Sequence, residues 1–190
     1  MNFKIATEQP KTKVQQAEAV QAHFPLTFYK SEKKTSLYGI FGKLIKDHSL
    51  VAVSFNSFNA IDVLVYLLEQ TGPAKVCLTS YAIAENTIRT ILKLHQENVI
   101  TGLNLLLDNR VVRECPKAYQ LVSANFNQVA LTKIHAKIIT IENNDWSIMV
   151  SSSANLNENP RIESYVIMEN KKVTESTVKW IEKKVNANAY

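Results

Sequence analysis

At 190 residues, with 46% apolar and 21% charged side chains, the chain has a globular composition and the length to bury a sizeable core. Lys and Arg number 22 against 17 Asp and Glu, and the resulting charge of +5 permits an anionic partner without demanding one. No apolar run reaches the roughly 18 residues of a membrane span, and MNFKIATEQPKTK lacks the apolar centre of a secretory signal, so a cytoplasmic location is expected. Cys77 and Cys115 share no metal-like spacing with a histidine and are expected as free thiols.

In chain order, a short apolar start at Phe3–Ala6 leads to a helix-compatible run, Thr12–His23, that Pro25 stops. Lys30, Lys33 and Lys34 cluster beside Phe28 and Tyr29. This cluster reads as a solvated loop, with contact to a phosphate backbone as the alternative. Leu37–Lys46 is compatible with one amphipathic helix. From His48 the pattern becomes regular: strands at Leu50–Phe55, Ala74–Ser80 and Ile100–Leu107, and helices at Asn59–Gln70, Ala82–Glu97 and Val111–Val122, the last with Pro116 within it. Such alternation predicts parallel strands with helices on both faces. Strands at Gln128–Thr132, Ile134–Glu142, Ser147–Ser151 and Ile162–Met168 then follow without a long helix between them, which predicts mixed or antiparallel pairing. A closing helix, Glu175–Asn186, carries Val178, Ile181 and Val185 at helical spacing and turns its lysines outward. The expectation is one α/β domain over residues 1–190, a mixed sheet flanked by helices on both faces, with residues 1–47 as an N-terminal elaboration.

Small polar residues end the first strands: Ser54, Asn56 and Ser57 in one, Thr79 and Ser80 in another. Ligands of open α/β sheets bind outside the carboxyl ends of strands, but capping of the following helices accounts for the same residues. The richest chemistry lies in TKIHAKIITIENNDWSIMVSSSANLNENPRIESYVI, residues 132–167. Alternation along its first strand sends His135 and Lys137 the same way, roughly 6–7 Å apart along the chain. Asn143-Asn144-Asp145 signals a turn, and the second strand runs into Ser151-Ser152-Ser153-Ala154-Asn155. Glu163 heads a third apolar run. Imidazole, ammonium, hydroxyl, amide and carboxylate are the groups that bind and attack a phosphodiester.

His135-x-Lys137, four residues, Glu142, a spacer and Ser152-Ser153-x-Asn155 resemble the HxK(x)4D…GSxN signature of the phospholipase D superfamily. Within Asn159-Pro-Arg-Ile-Glu163, the acid falls where nucleases of that superfamily place a glutamate. The motifs span the last third of the chain. They depart from the pattern at Glu142, where the family has Asp, at Ser152, where it has Gly, and in the longer gap between acid and serine.

The resemblance implies a phospholipase D-like α-β-α sandwich and a two-step displacement without metal or cofactor. One histidine attacks phosphorus, and a second protonates the leaving oxygen and then activates water. This chain has one HxK; His23, His48 and His95 are not followed by lysine two residues on. One chain therefore supplies half a site, and a homodimer would complete it, as in single-motif endonucleases of the superfamily. Under this resemblance His135 is nucleophile in one subunit and general acid in the other. Lys137 and Asn155 hold phosphate oxygens, with Ser153 and Ser152 as further donors. Glu163 accepts from the other ring nitrogen of His135, and Glu142 is structural because it lies on the opposite strand face. Arg161 either pairs with a carboxylate or reaches nucleic acid. The implied activity is that of a nuclease acting on nucleic acid, DNA foremost. A weak or inactive nucleic-acid-binding module, and a lipid or small-molecule phosphodiesterase, stay open as alternatives.

Overall fold

The computed structural model describes residues 26–31, 37–158 and 160–187. The expectations for Phe3–Ala6, Thr12–His23, Lys33 and Lys34 lie outside these residues. The described strands are β1 (Leu26–Ser31), β2 (Ser49–Phe55), β3 (Ala74–Ser80), β4 (Ile100–Asp108), β5 (Val129–Thr132), β6 (Lys137–Glu142), β7 (Ser147–Ser152) and β8 (Ile162–Glu169). The helices are α1 (Leu37–Phe41), α2 (Ala60–Thr71), α3 (Glu85–Gln96), α4 (Val111–Glu114), α5 (Pro116–Asn125) and α6 (Lys171–Ala187).

The strands form one sheet in the order β1-β2-β8-β7-β6-β3-β4-β5. β1 pairs parallel to β2, and β3, β4 and β5 pair parallel to one another. The antiparallel meander β6-β7-β8 is inserted between these halves. β1, β2, β7, β3, β4 and β5 thus point one way, and β6 and β8 the other. One edge of the sheet consequently gathers the carboxyl ends of six strands and the amino ends of two.

Both faces carry helices. Leu37 and Phe41 of α1, Val63, Leu64 and Leu67 of α2, Ile88 and Ile91 of α3, and Ala118 and Val122 of α5 are buried against Leu50, Ala52, Val76, Leu78, Ile139 and Ile141 of the sheet. Removing a Val, Leu, Ile or Phe side chain from water stabilises by about 1.5–3 kcal/mol. α6 crosses the opposite face, where Ile181 and Val185 pack on Cys77, Leu106 and Ala130. Both cysteines are free thiols, and burial pushes that of Cys77 up.

Local chemistry sets the element ends. Asn59 caps α2 through a reciprocal box: its side chain accepts from Ile61 and Asp62 N–H, and Asp62 accepts from Asn59 N–H. Gly72, at φ 74°, closes the helix. Four sequence expectations are corrected. Phe28, Tyr29 and Lys30 belong to edge strand β1 instead of a loop, because they complete a parallel ladder with β2. α1 stops at Phe41, where Gly42 takes φ 71°. Pro116 cannot donate to the preceding turn, so the Val111–Val122 helix divides into α4 and α5 at Cys115. α6 begins at Lys171 because the Asn170 side chain accepts from Val173 N–H at 3.1 Å.

Candidate active site

The shared sheet edge brings together the ends of β2, β3, β4 and β7 and the beginnings of β6 and β8, and with them most of the residues singled out by sequence. The expected strand at Ile134 starts later, at Lys137. Residues 134–136 instead bond to side chains from neighbouring strand ends. Asp108, the last residue of β4, accepts from Ile134 N–H through Oδ2 and from Arg110 N–H through Oδ1, both at 3.0 Å. Thr79 of β3 donates its hydroxyl to Ala136 O at 2.8 Å and accepts from Ile138 N–H at 3.0 Å. The backbone on both sides of His135 is therefore clasped by buried side chains, and the imidazole between them is exposed. Burial pushes the Asp108 carboxyl up, but its two amide bonds and the Arg110 and His135 charges outweigh this and hold it below the usual range.

Lys137 is only 7% exposed, and burial pulls its pKa down against the opposing influence of the Glu163 charge. Its Nζ donates to His135 O at 2.6 Å and lies 3.0 Å from Nδ1 and 3.2 Å from Nε2 of the same residue. The ring of Tyr81, just past β3, meets His135 edge-on at 4.9 Å, and the Arg110 guanidinium stands 4.7 Å from the centroid of the same ring.

Asn155 enters from the loop after β7. Its Oδ1 accepts from Tyr81 N–H at 3.2 Å and lies 3.4 Å from Ser80 Oγ, while the next residue, Leu156, bonds Ser80 Oγ and Ala84 N–H. With its oxygen turned to the backbone, the amide NH2 is the half of Asn155 available to an anion. Ser153 lies where β7 leaves β8: its N–H donates to Ser164 O, and its Oγ accepts from Ser164 N–H at 2.9 Å and donates to Glu163. Glu163 thus has Ser153 as its hydrogen-bond partner where the imidazole was expected, because the continuing ladder holds that hydroxyl against its carboxylate. Ser152 pairs with Lys137 across β6–β7 and donates its hydroxyl to Ala154 O.

Two other residues stand apart. Arg161 is exposed just before β8, and no hydrogen bond or ion pair among the described residues joins it to this cluster. Glu142 ends β6 at the far side of the sheet, where burial first, and then Glu175 and Glu182, push its carboxyl up. Ser54 and Ser80 brace the loops that follow their strands and cap no helix: Ser54 Oγ accepts from Ser57 N–H and Phe58 N–H and donates to Phe58 O, and Ser80 Oγ donates to Ala82 O. Sequence reasoning missed Asp108, Tyr81 and Arg110, and offered Thr79 as a ligand-lining or helix-capping strand end, not as a support for the His135 backbone. An acid at the close of an apolar strand was their one visible signal. Among the described residues, no three His, Cys, Asp or Glu side chains come together to hold a metal ion.

A mixed α/β sheet whose carboxyl-end edge carries a histidine–lysine pair defines the class, and comparison with solved structures gives the fold. The chain is similar to Nuc of Salmonella typhimurium, a phospholipase D family member, with TM-score 0.54 and 16% identity over 73% of this chain and 95% of that one. It is similar to NucT of Helicobacter pylori, with TM-score 0.52 and 14% identity over 73% and 96%. The polyphosphate kinase of Porphyromonas gingivalis matches with TM-score 0.51 and 12% identity over 72% of this chain, which spans only 26% of that protein. The chain therefore has the fold of Nuc, a phospholipase D family member. No protein-family model and no curated protein matches the sequence. Among the described residues, no helix is long and apolar enough to cross a membrane.

Proposed function

We propose that this chain is a phosphodiesterase acting on nucleic acid without a metal, with each active site completed by a second copy. One observation carries the reading: an exposed imidazole, clasped on both flanks, with a buried ammonium against its ring at the carboxyl edge of the sheet. The fold shared with Nuc and NucT supports it.

In the first step a His135 ring nitrogen attacks phosphorus, a nitrogen–phosphorus bond forms, and the ester oxygen departs with a proton from His135 of the partner subunit. That second imidazole then takes a proton from water, which attacks the phosphohistidine and releases the ring. Lys137 and the Asn155 NH2 hold the non-bridging oxygens as charge develops. Burial disfavours the Lys137 charge, and a docked phosphate supplies an anion that stabilises it. Asp108 and Thr79 act as positioning residues. The net charge of +5 suits nucleic acid, DNA foremost.

A second reading, a binding module that no longer turns over, is favoured by the Ser153–Glu163 contact, which occupies both groups. The test is cleavage of single-stranded and plasmid DNA in excess chelator by wild type and His135→Ala. Cleavage by wild type alone is expected. Equal cleavage by both would overturn the assignment, salt-dependent binding without cleavage would favour the module, and turnover of a small diester but not DNA would favour a lipid or small-molecule phosphodiesterase.

A further inference from the structure

Arg110 belongs to no motif and stands at the rim of this site. Its guanidinium lies over the Tyr81 ring at 4.7 Å, and Tyr81 touches His135 edge-on at 4.9 Å. These distances bound it within about one Debye length of the imidazole, roughly 10 Å at 0.1 M salt, so both act on the same stretch of a bound polyanion. Three contacts hold it: the Tyr81 ring, the Asp108 carboxylate 3.8 Å from Nε, and its own N–H bonded to Asp108. The side chain remains 56% exposed, and among the described residues none of its five N–H donors makes a hydrogen bond. An ion pair this exposed adds little to stability. A preorganised fork with unused donors, beside a reacting group it does not touch, is suited to a second anion.

We infer that Arg110, seated on Tyr81 and Asp108, binds the phosphate next to the scissile one, so that the site selects a polynucleotide strand over an isolated diester. The inference rests on the reading of His135 and Lys137 as the phosphodiester site and names the substrate class for it. A polynucleotide carries a charge on each side of the bond being cut, whereas a phospholipid or a small diester has one phosphate and nothing for Arg110 to hold. Planarity matters as well as charge, because a guanidinium donates two parallel N–H bonds to a phosphate and an ammonium cannot.

The experiment compares wild type, Arg110→Met and Arg110→Lys on a labelled single-stranded oligodeoxynucleotide and on bis(p-nitrophenyl) phosphate. Arg110→Met is expected to lose about tenfold more kcat/KM on the oligonucleotide than on the small diester, the value of one charge-assisted contact, and to lose it in KM. Arg110→Lys should recover part of the loss. A second arm measures oligonucleotide binding against salt in the His135→Ala background, which reads Arg110 whether or not His135 turns substrate over. There Arg110→Met should flatten the slope of log K against log salt by about 0.7, one phosphate contact to a single strand. Equal losses on both substrates, or an unchanged salt slope, would overturn the inference. Cleavage unaffected by His135→Ala would instead strike the catalytic reading and leave the binding arm standing.

Discussion

Replacing Asp108 by Asn tests the clasp on His135 with little change of shape. Asp108 is 6% exposed, and its carboxylate takes one backbone N–H on each oxygen, Ile134 and Arg110, at 3.0 Å. Asn keeps one acceptor oxygen and turns an NH2 toward the other N–H. One charge-assisted bond, worth about 1.5–3 kcal/mol, is lost, and the survivor weakens to a neutral one. A loss of about 3 kcal/mol follows, or roughly 6–12 °C in Tm for a domain of this size. The folded-state pKa of Asp108 is depressed, so its stabilisation is fully present above the unfolded value near 3.9 and fades as pH falls through the folded one. Thermal melts from pH 7 down to pH 3 should show a wide gap between wild type and variant that closes on acidification. A variant melting within about 1 °C of wild type at pH 7, or a gap that widens toward acid, would refute the clasp.

Lys137→Met should raise Tm by about 2–4 °C for each kcal/mol of relieved burial while abolishing DNA cleavage. Because the lysine's folded pKa is lowered, the folded state binds fewer protons than the unfolded one between that value and the ordinary 10.4 or so. Wild type should therefore gain on the variant as pH rises through this window, and a deficit that grows toward pH 10 would contradict the reading. Tyr165 is fully buried, and its hydroxyl has no hydrogen-bond partner among the described residues. An unpaired group of this kind costs about 1–3 kcal/mol, so Tyr165→Phe should melt higher, and a lower midpoint would show that the hydroxyl has a partner.

The regular half of the fold was legible because its signals are local. β3 spans the expected Ala74–Ser80, and α2 covers Ala60–Thr71 where Asn59–Gln70 was expected. His135 and Lys137 were legible as a pair facing one way, although their contact is made just before β6 begins. The insertion of β6-β7-β8 between β2 and β3 was not legible: periodicity marks a strand, and pairing partners far along the chain leave no local trace. The clasp was hidden for the same reason, since Asp108 reaches Ile134 and Thr79 reaches Ala136 only once β3, β4 and β6 lie side by side. Ser153 was read as a substrate donor from its motif position, and only the β7–β8 ladder places its hydroxyl against Glu163.

The claim that each site draws on two chains is tested most directly by a mixed dimer. Wild type and His135→Asn carrying different tags are co-expressed, the species bearing both tags is isolated, and its DNA cleavage in excess chelator is measured. If two imidazoles, one from each copy, serve each phosphate, the mixed species is no more active than the His135→Asn homodimer. Activity near half that of wild type, or no species bearing both tags, would contradict the shared site.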